Sequence, residues 1–76
     1  MCLSEAACVL EVDGDSAVVE LRGAPRRVPL VLLTFAGEAV VPGDWLLLHT
    51  GLAVARVTAA EAAEVNAVRD QGETHA

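Results

Sequence analysis

The sequence predicts a mostly β protein, a small five-stranded OB-like barrel followed by one C-terminal α-helix. Three observations lead there. Turn-forming residues recur at short intervals: Asp13-Gly14-Asp15, Gly23-Ala24-Pro25, Pro42-Gly43-Asp44 and Gly51. The segments between them are of strand length and rich in Val and Leu. At Thr58 the periodicity changes, and strong helix formers take over.

Ala7–Val12 is the first expected strand, stopped by the tight turn at Asp13-Gly14-Asp15. Ser16–Arg22 is the second, with Val19 and Leu21 on one face and Glu20 and Arg22 on the other. Gly23-Ala24-Pro25 makes the next turn, and Arg26–Leu33 is the third strand. Pro29 cannot donate a ladder hydrogen bond, which places this strand at an edge or a bulge. Thr34–Asp44 reads as a longer loop, Trp45–Thr50 as the fourth strand and Leu52–Val57 as the fifth, with Gly51 a tight corner between them. Closure, complete or nearly so, is expected because it removes sticky edges.

Thr58-Ala59-Ala60-Glu61 fits a capping box: the Thr58 hydroxyl accepts from the Glu61 amide while Glu61 reaches back. The helix is expected over Ala59–Gln71, with Ala62, Val65 and Val68 (or Arg69) at helical spacing and Gly72 as its stop. Residues 1–71 then form one domain, and residues 72–76 a flexible tail.

Composition narrows the function. The chain has 76 residues, so it buries only about 60% of its unfolded surface. Its hydrophobic content of 54% is enough to fold without metal or disulfide staples. A formal net charge of −6, no lysine and few aromatic residues argue against nucleic-acid binding. The N-terminus lacks the basic and apolar regions of a signal peptide, and no apolar run approaches the roughly 18 residues of a membrane span. A reducing cytoplasm is the expected compartment, with free thiols. On one extended strand Cys2 and Cys8 would stand about 20 Å apart, far beyond the roughly 7 Å a disulfide allows.

Two residues draw attention as ligands. Removal of Met1, which small second residues permit, would leave Cys2 with a free α-amino group beside its thiol. That ammonium favours the thiolate, and thiolate and amine together can chelate a metal. The bland alternative is that the second residue is cysteine by accident. His49 shares strand parity with Trp45 and Leu47. It is either a core or rim residue satisfied by one hydrogen bond, or a neutral imidazole ligand for iron, nickel or zinc. Cys8 reads as a small buried hydrophobe, His75 as solvated, and Arg22, Arg26 and Arg27 as a solvated face countering Glu20 and Asp15. No phosphate loop, zinc Cys/His spacing or Ser/His/Asp set is present. A thiol and an imidazole could form a nucleophilic pair, but a barrel this small has little room for a water-excluding pocket. A non-enzyme is expected.

Met1-Cys2-Leu3 and the run Gly43-Asp44-Trp45-Leu46-Leu47-Leu48-His49-Thr50-Gly51-Leu52-Ala53 resemble the HypC/HupF/HybG hydrogenase-maturation chaperones. That family opens M-C-[LIV]-x-x-P-x-x-[VI] and later carries G-[DQ]-[WY]-[VL]-L-[VL]-H-x-G-x-A. The second pattern matches throughout. In the first, Ala6 stands where the family has proline and Glu5 where it usually has an apolar residue. Proline restricts its own φ and its neighbour, so Ala6 is expected to loosen the arm that carries Cys2.

The resemblance implies a metallochaperone that takes the Fe(CN)2CO fragment of a [NiFe] site from a HypD-like scaffold protein. It then delivers that fragment to the precursor of the hydrogenase large subunit. It implies Cys2 and His49 as transient iron ligands, and Cys2, Leu3, Ala6 and Gly51 as partner contacts. Two protein ligands suit transfer, since a partner can complete and then relieve the coordination sphere. The alternative is an OB-like protein-interaction module with no metal-carrying role.

Overall fold

The structure, a computed structural model, describes residues 4–74, with side chains described to residue 68. Five antiparallel strands form one sheet: β1 (Ser4–Asp13), β2 (Ser16–Leu21), β3 (Ala24–Pro29), β4 (Trp45–His49) and β5 (Leu52–Val57). Their order is β3-β2-β1-β4-β5. Two helices join them, α1 (Val31–Phe35) between β3 and β4, and α2 (Ala59–Thr74) after β5.

The expected mostly β fold is present, but the barrel is loose. β3 and β5 approach one another without pairing, so the sheet is not closed. α1 packs on β5 beside this opening. Edge exposure is managed by composition instead: β3 carries Pro25 and Pro29, which cannot donate to a further strand.

The hairpins are tighter than expected. Asp13 pairs with Ser16 across Gly14-Asp15, Leu21 with Ala24 across Arg22-Gly23, and His49 with Leu52 across Thr50-Gly51. In the last two both turn residues have positive φ, 54° and 80° for Arg22 and Gly23, 52° and 85° for Thr50 and Gly51. That is the turn geometry whose twist matches paired strands. Ala24 and Pro25 therefore belong to β3 rather than to the turn.

The third expected strand, Arg26–Leu33, is corrected most. It ends at Pro29, and the apolar run that follows winds into the single turn of α1. Helical winding points Leu33 into the core while Phe35, two residues on, is 94% exposed. α2 also runs further than expected. It passes Gly72, the anticipated stop, to reach Thr74, and residues 75–76 of the expected tail lie outside the described residues. Its start is as predicted: the Thr58 amide donates to Glu61 Oε1 at 2.8 Å, and the Glu61 amide to Thr58 Oγ1 at 3.1 Å.

The core lies on the inner face of the curled sheet. Ala7 and Val9 of β1, Ala17 and Val19 of β2, and Leu46 and Leu48 of β4 are buried there, with Leu30 and Leu33 closing one side. At Leu10 a bulge interrupts the β1–β2 register, leaving Leu10 half exposed. The outer face of β1 is covered by α2, which packs mainly on that strand and on β4. Ala6 and Ala62 are buried there, apart from the main core.

Candidate functional site

Three segments meet at one end of the sheet: the start of β1, the β2–β3 turn and the β4–β5 turn. The register of β1 and β4 sets the arrangement, since Ser4 pairs with His49, Glu5 with Leu48 and Ala6 with Leu47. The start of β1 is thereby held beside the last residue of β4.

His49 is exposed, on the outer parity of β4, while Leu46 and Leu48 take the core positions. Its Nδ1 lies 3.4 Å from the Ser4 hydroxyl, directly across the ladder. The rim reading of His49 therefore fits better than the core reading. If Nδ1 carries the proton and donates to this hydroxyl, Nε2 is the nitrogen with a lone pair for a ligand. Thr50 donates its hydroxyl to the His49 carbonyl at 2.6 Å. Gly51 is exposed at φ +85°, and a Cβ there would meet nothing within 4 Å, so glycine serves the backbone and not the space.

Arg22 and Thr50 are the two non-glycine residues with positive φ among those described. Both sit in the turns that flank the start of β1. A β-branched residue in this region is strained by about 1–3 kcal/mol, and such residues gather at functional sites.

Glu5 shares parity with the inward Ala7, at the position where the family pattern is usually apolar. Its carboxylate is matched by Arg22, whose Nε donates at 3.0 Å and whose second guanidinium nitrogen lies at 2.9 Å. Arg22 thus pairs across the end of the sheet with Glu5, and Arg27 with Asp13 at 3.4 Å; the expected countering of Glu20 and Asp15 is not the arrangement found.

Ala6 is 4% exposed. Its N–H donates to Asn66 Oδ1 at 3.0 Å, and its carbonyl accepts from Asn66 Nδ2 at 3.1 Å. α2 thus grips the Ala6 backbone, while the arm that carries Cys2, where the loosening is expected, lies outside the described residues. Ala6, expected as a partner contact, is buried in this structure. Sequence reasoning missed both Asn66 and Ser4. Strand parity opposite His49 could have pointed to Ser4, but nothing local pointed to Asn66, sixty residues from Ala6.

Cys2 and Leu3 lie outside the described residues, as does His75. Cys8 is half-buried with a free thiol, its sulfur 3.9 Å from the Val9 carbonyl. Among the described residues no group of three or more His, Cys, Asp or Glu is placed to hold a metal. No described helix is long and apolar enough to cross a membrane.

The fold and the site together are those of a small open barrel with an exposed imidazole beside the start of its first strand. The chain belongs to the HupF/HypC family, whose model matches residues 1–68. It is 38% identical over 65 residues to the hydrogenase maturation factor HypC of Helicobacter hepaticus, covering 84% of this chain and 72% of that protein. It is 34% identical over 64 residues to the factor of the same name from Escherichia coli K12, covering 82% and 71%. A Frd operon uncharacterized protein C of Proteus vulgaris is 34% identical over 77 residues, covering 96% and 80%. Membership in a family of maturation factors agrees with the expected non-enzyme.

Proposed function

We propose that this protein is a hydrogenase-maturation chaperone, acting with other maturation components in the cytoplasm. It carries the Fe(CN)2CO fragment as cargo from a HypD-like scaffold to the large-subunit precursor, holding it between Cys2 and His49. The coarser role follows the family and its hydrogenase maturation factors. One observation supports the finer one: Ser4 pairs with His49. Cys2 precedes Ser4 by two residues, so the covalent chain keeps its Cα within about 7 Å of the Ser4 Cα. A thiolate and an imidazole within reach of each other suit a borderline metal such as iron.

The test is anaerobic co-purification with the scaffold, read by iron content and by cyanide and carbonyl infrared bands. Cys2→Ala and His49→Gln should each remove most of the iron. His49 is exposed, so His49→Gln should leave the melting temperature within a few degrees. A destabilised His49→Gln protein that still carries full iron would withdraw the ligand role. A wild-type complex free of iron would favour the interaction module.

A further inference from the structure

We propose that Asn66 is the positioning residue of this end of the molecule: by clasping the Ala6 backbone it fixes the start of β1, which sets Ser4 beside His49. The functional weight of that segment rests on the reading above; the clasp rests on geometry.

The β1–β2 ladder begins at Cys8, paired with Glu20. Before that residue β1 has β4 on one side, with Ala6 opposite Leu47. The N–H and carbonyl of one residue in an antiparallel strand point to the same side. Those of Ala6 both go to Asn66, so the carboxamide stands where β2 would otherwise be. Ala6 is 4% exposed, and without Asn66 these two part-buried polar groups would lose the partner they have here.

Two parallel bonds hold more than a distance. They set the rotation of the Ala6 peptide and oppose a slip of β1 along β4, which by a single residue would turn Ser4 to the other face. The helix has no use of its own for Asn66, since asparagine is a poorer helix former than alanine, and Ala62 and Ala63 show what this helix otherwise selects. A proline at position 6 would offer no N–H to Oδ1 but would restrict φ directly. Ala6 with Asn66 and proline without it are thus alternative ways of fixing one strand.

That equivalence is the test, made on the full chain with Asn66→Ala, Ala6→Pro and the double variant, well below the melting temperature. In Asn66→Ala, amide exchange at Ala6 should rise about tenfold or more relative to Leu46 and Leu48. Cross-strand nuclear Overhauser contacts between Ser4 and His49 should weaken. In the double variant proline should restore those contacts although the clasp is gone. Iron content of the scaffold complex should follow the same pattern, falling in Asn66→Ala and recovering in the double variant.

Exchange rising equally at Ala6, Leu46 and Leu48 would mean a merely structural residue and overturn the proposal. So would unchanged Ser4–His49 contacts in Asn66→Ala, or no recovery with proline. If the contacts behave as stated while the wild-type complex carries no iron, the positioning role stands and the iron-carrying reading fails.

Discussion

From Cys8 to Asp13, β1 is zipped to β2 and contributes Val9 to the main core; from Ser4 to Ala6 its ladder partner is β4. The first stretch is held by apolar burial that it shares with the four other strands. The second is held by its ladder to β4, by the burial of Ala6 and by separate polar contacts: Ser4 with His49, Glu5 with Arg22, and Ala6 with Asn66. Burial is cooperative, and one lost side chain is felt throughout a thin core. Polar contacts at a rim are replaceable one at a time, because each is worth about 1 kcal/mol net. Such a division lets the site end change its partners while the fold persists. The departures from the family pattern at positions 5 and 6 sit in that replaceable half, each matched by a partner elsewhere in the chain.

The comparison breaks most visibly if the core can be emptied without consequence. Leu46 is fully buried, opposite Ala7 of β1. Leu46→Ala should cost about 2–5 kcal/mol, a large share of the total stability of so small a domain. Urea denaturation should show a population already largely unfolded or a midpoint sharply lowered, at both ends of β1 together. A loss confined to the Ser4–Ala6 end would contradict the division drawn here.

Local signals were legible in the sequence. The capping box needs only Thr58 and Glu61, three residues apart, and it forms as read. The strands around Val19 and Leu46 follow from alternation, and β5 has the bounds expected of it. What depended on distant contacts was not legible. Val31–Phe35 has a strand's composition, and five residues are too few for helical periodicity to speak against it. Its winding follows from Pro29 ending β3 and from the burial of Leu30 and Leu33. Closure between β3 and β5 depends on how far the whole sheet curls, which no single strand encodes. His49 could be named as a candidate, but its exposure could not be decided from parity, because rim and outer face share it. The Asn66 clasp joins a side chain to a backbone sixty residues away, and any residue but proline supplies the N–H.

A smaller effect sharpens the role of α2. Thr58→Ala removes the hydroxyl that accepts from the Glu61 amide and should cost about 1 kcal/mol. The cap lies at the start of α2, two turns before Asn66, so the loss should fray the first turn and leave the clasp in place. Hydrogen exchange should then accelerate at Glu61 while Ala6 keeps its protection relative to Leu48. Loss of Ala6 protection in Thr58→Ala would mean that the clasp has no local strength and depends on the helix as a whole.

The smallest effect is expected at Glu5→Gln. The Glu5 side chain is 19% exposed, but Arg22 is 59% exposed, so solvent screens the pair. Exposed ion pairs contribute about 0.2–1 kcal/mol, and glutamine keeps the shape and can still accept one hydrogen bond from the guanidinium. The stability change should therefore stay within about 1 kcal/mol and shrink as salt is raised from low to roughly 0.5 M. Arg22 itself should report more than the midpoint does. It holds a left-handed backbone conformation at φ 54°, and the pairing is what fastens its side chain across the end of the sheet. Freed of the carboxylate, the Arg22-Gly23 turn should show faster amide exchange and broader resonances while Ser4 and His49 keep their register. If Glu5→Gln instead unfolded the protein as Leu46→Ala should, the contacts at this end would be as cooperative as the core, and the contrast between the two halves of β1 would have to be abandoned.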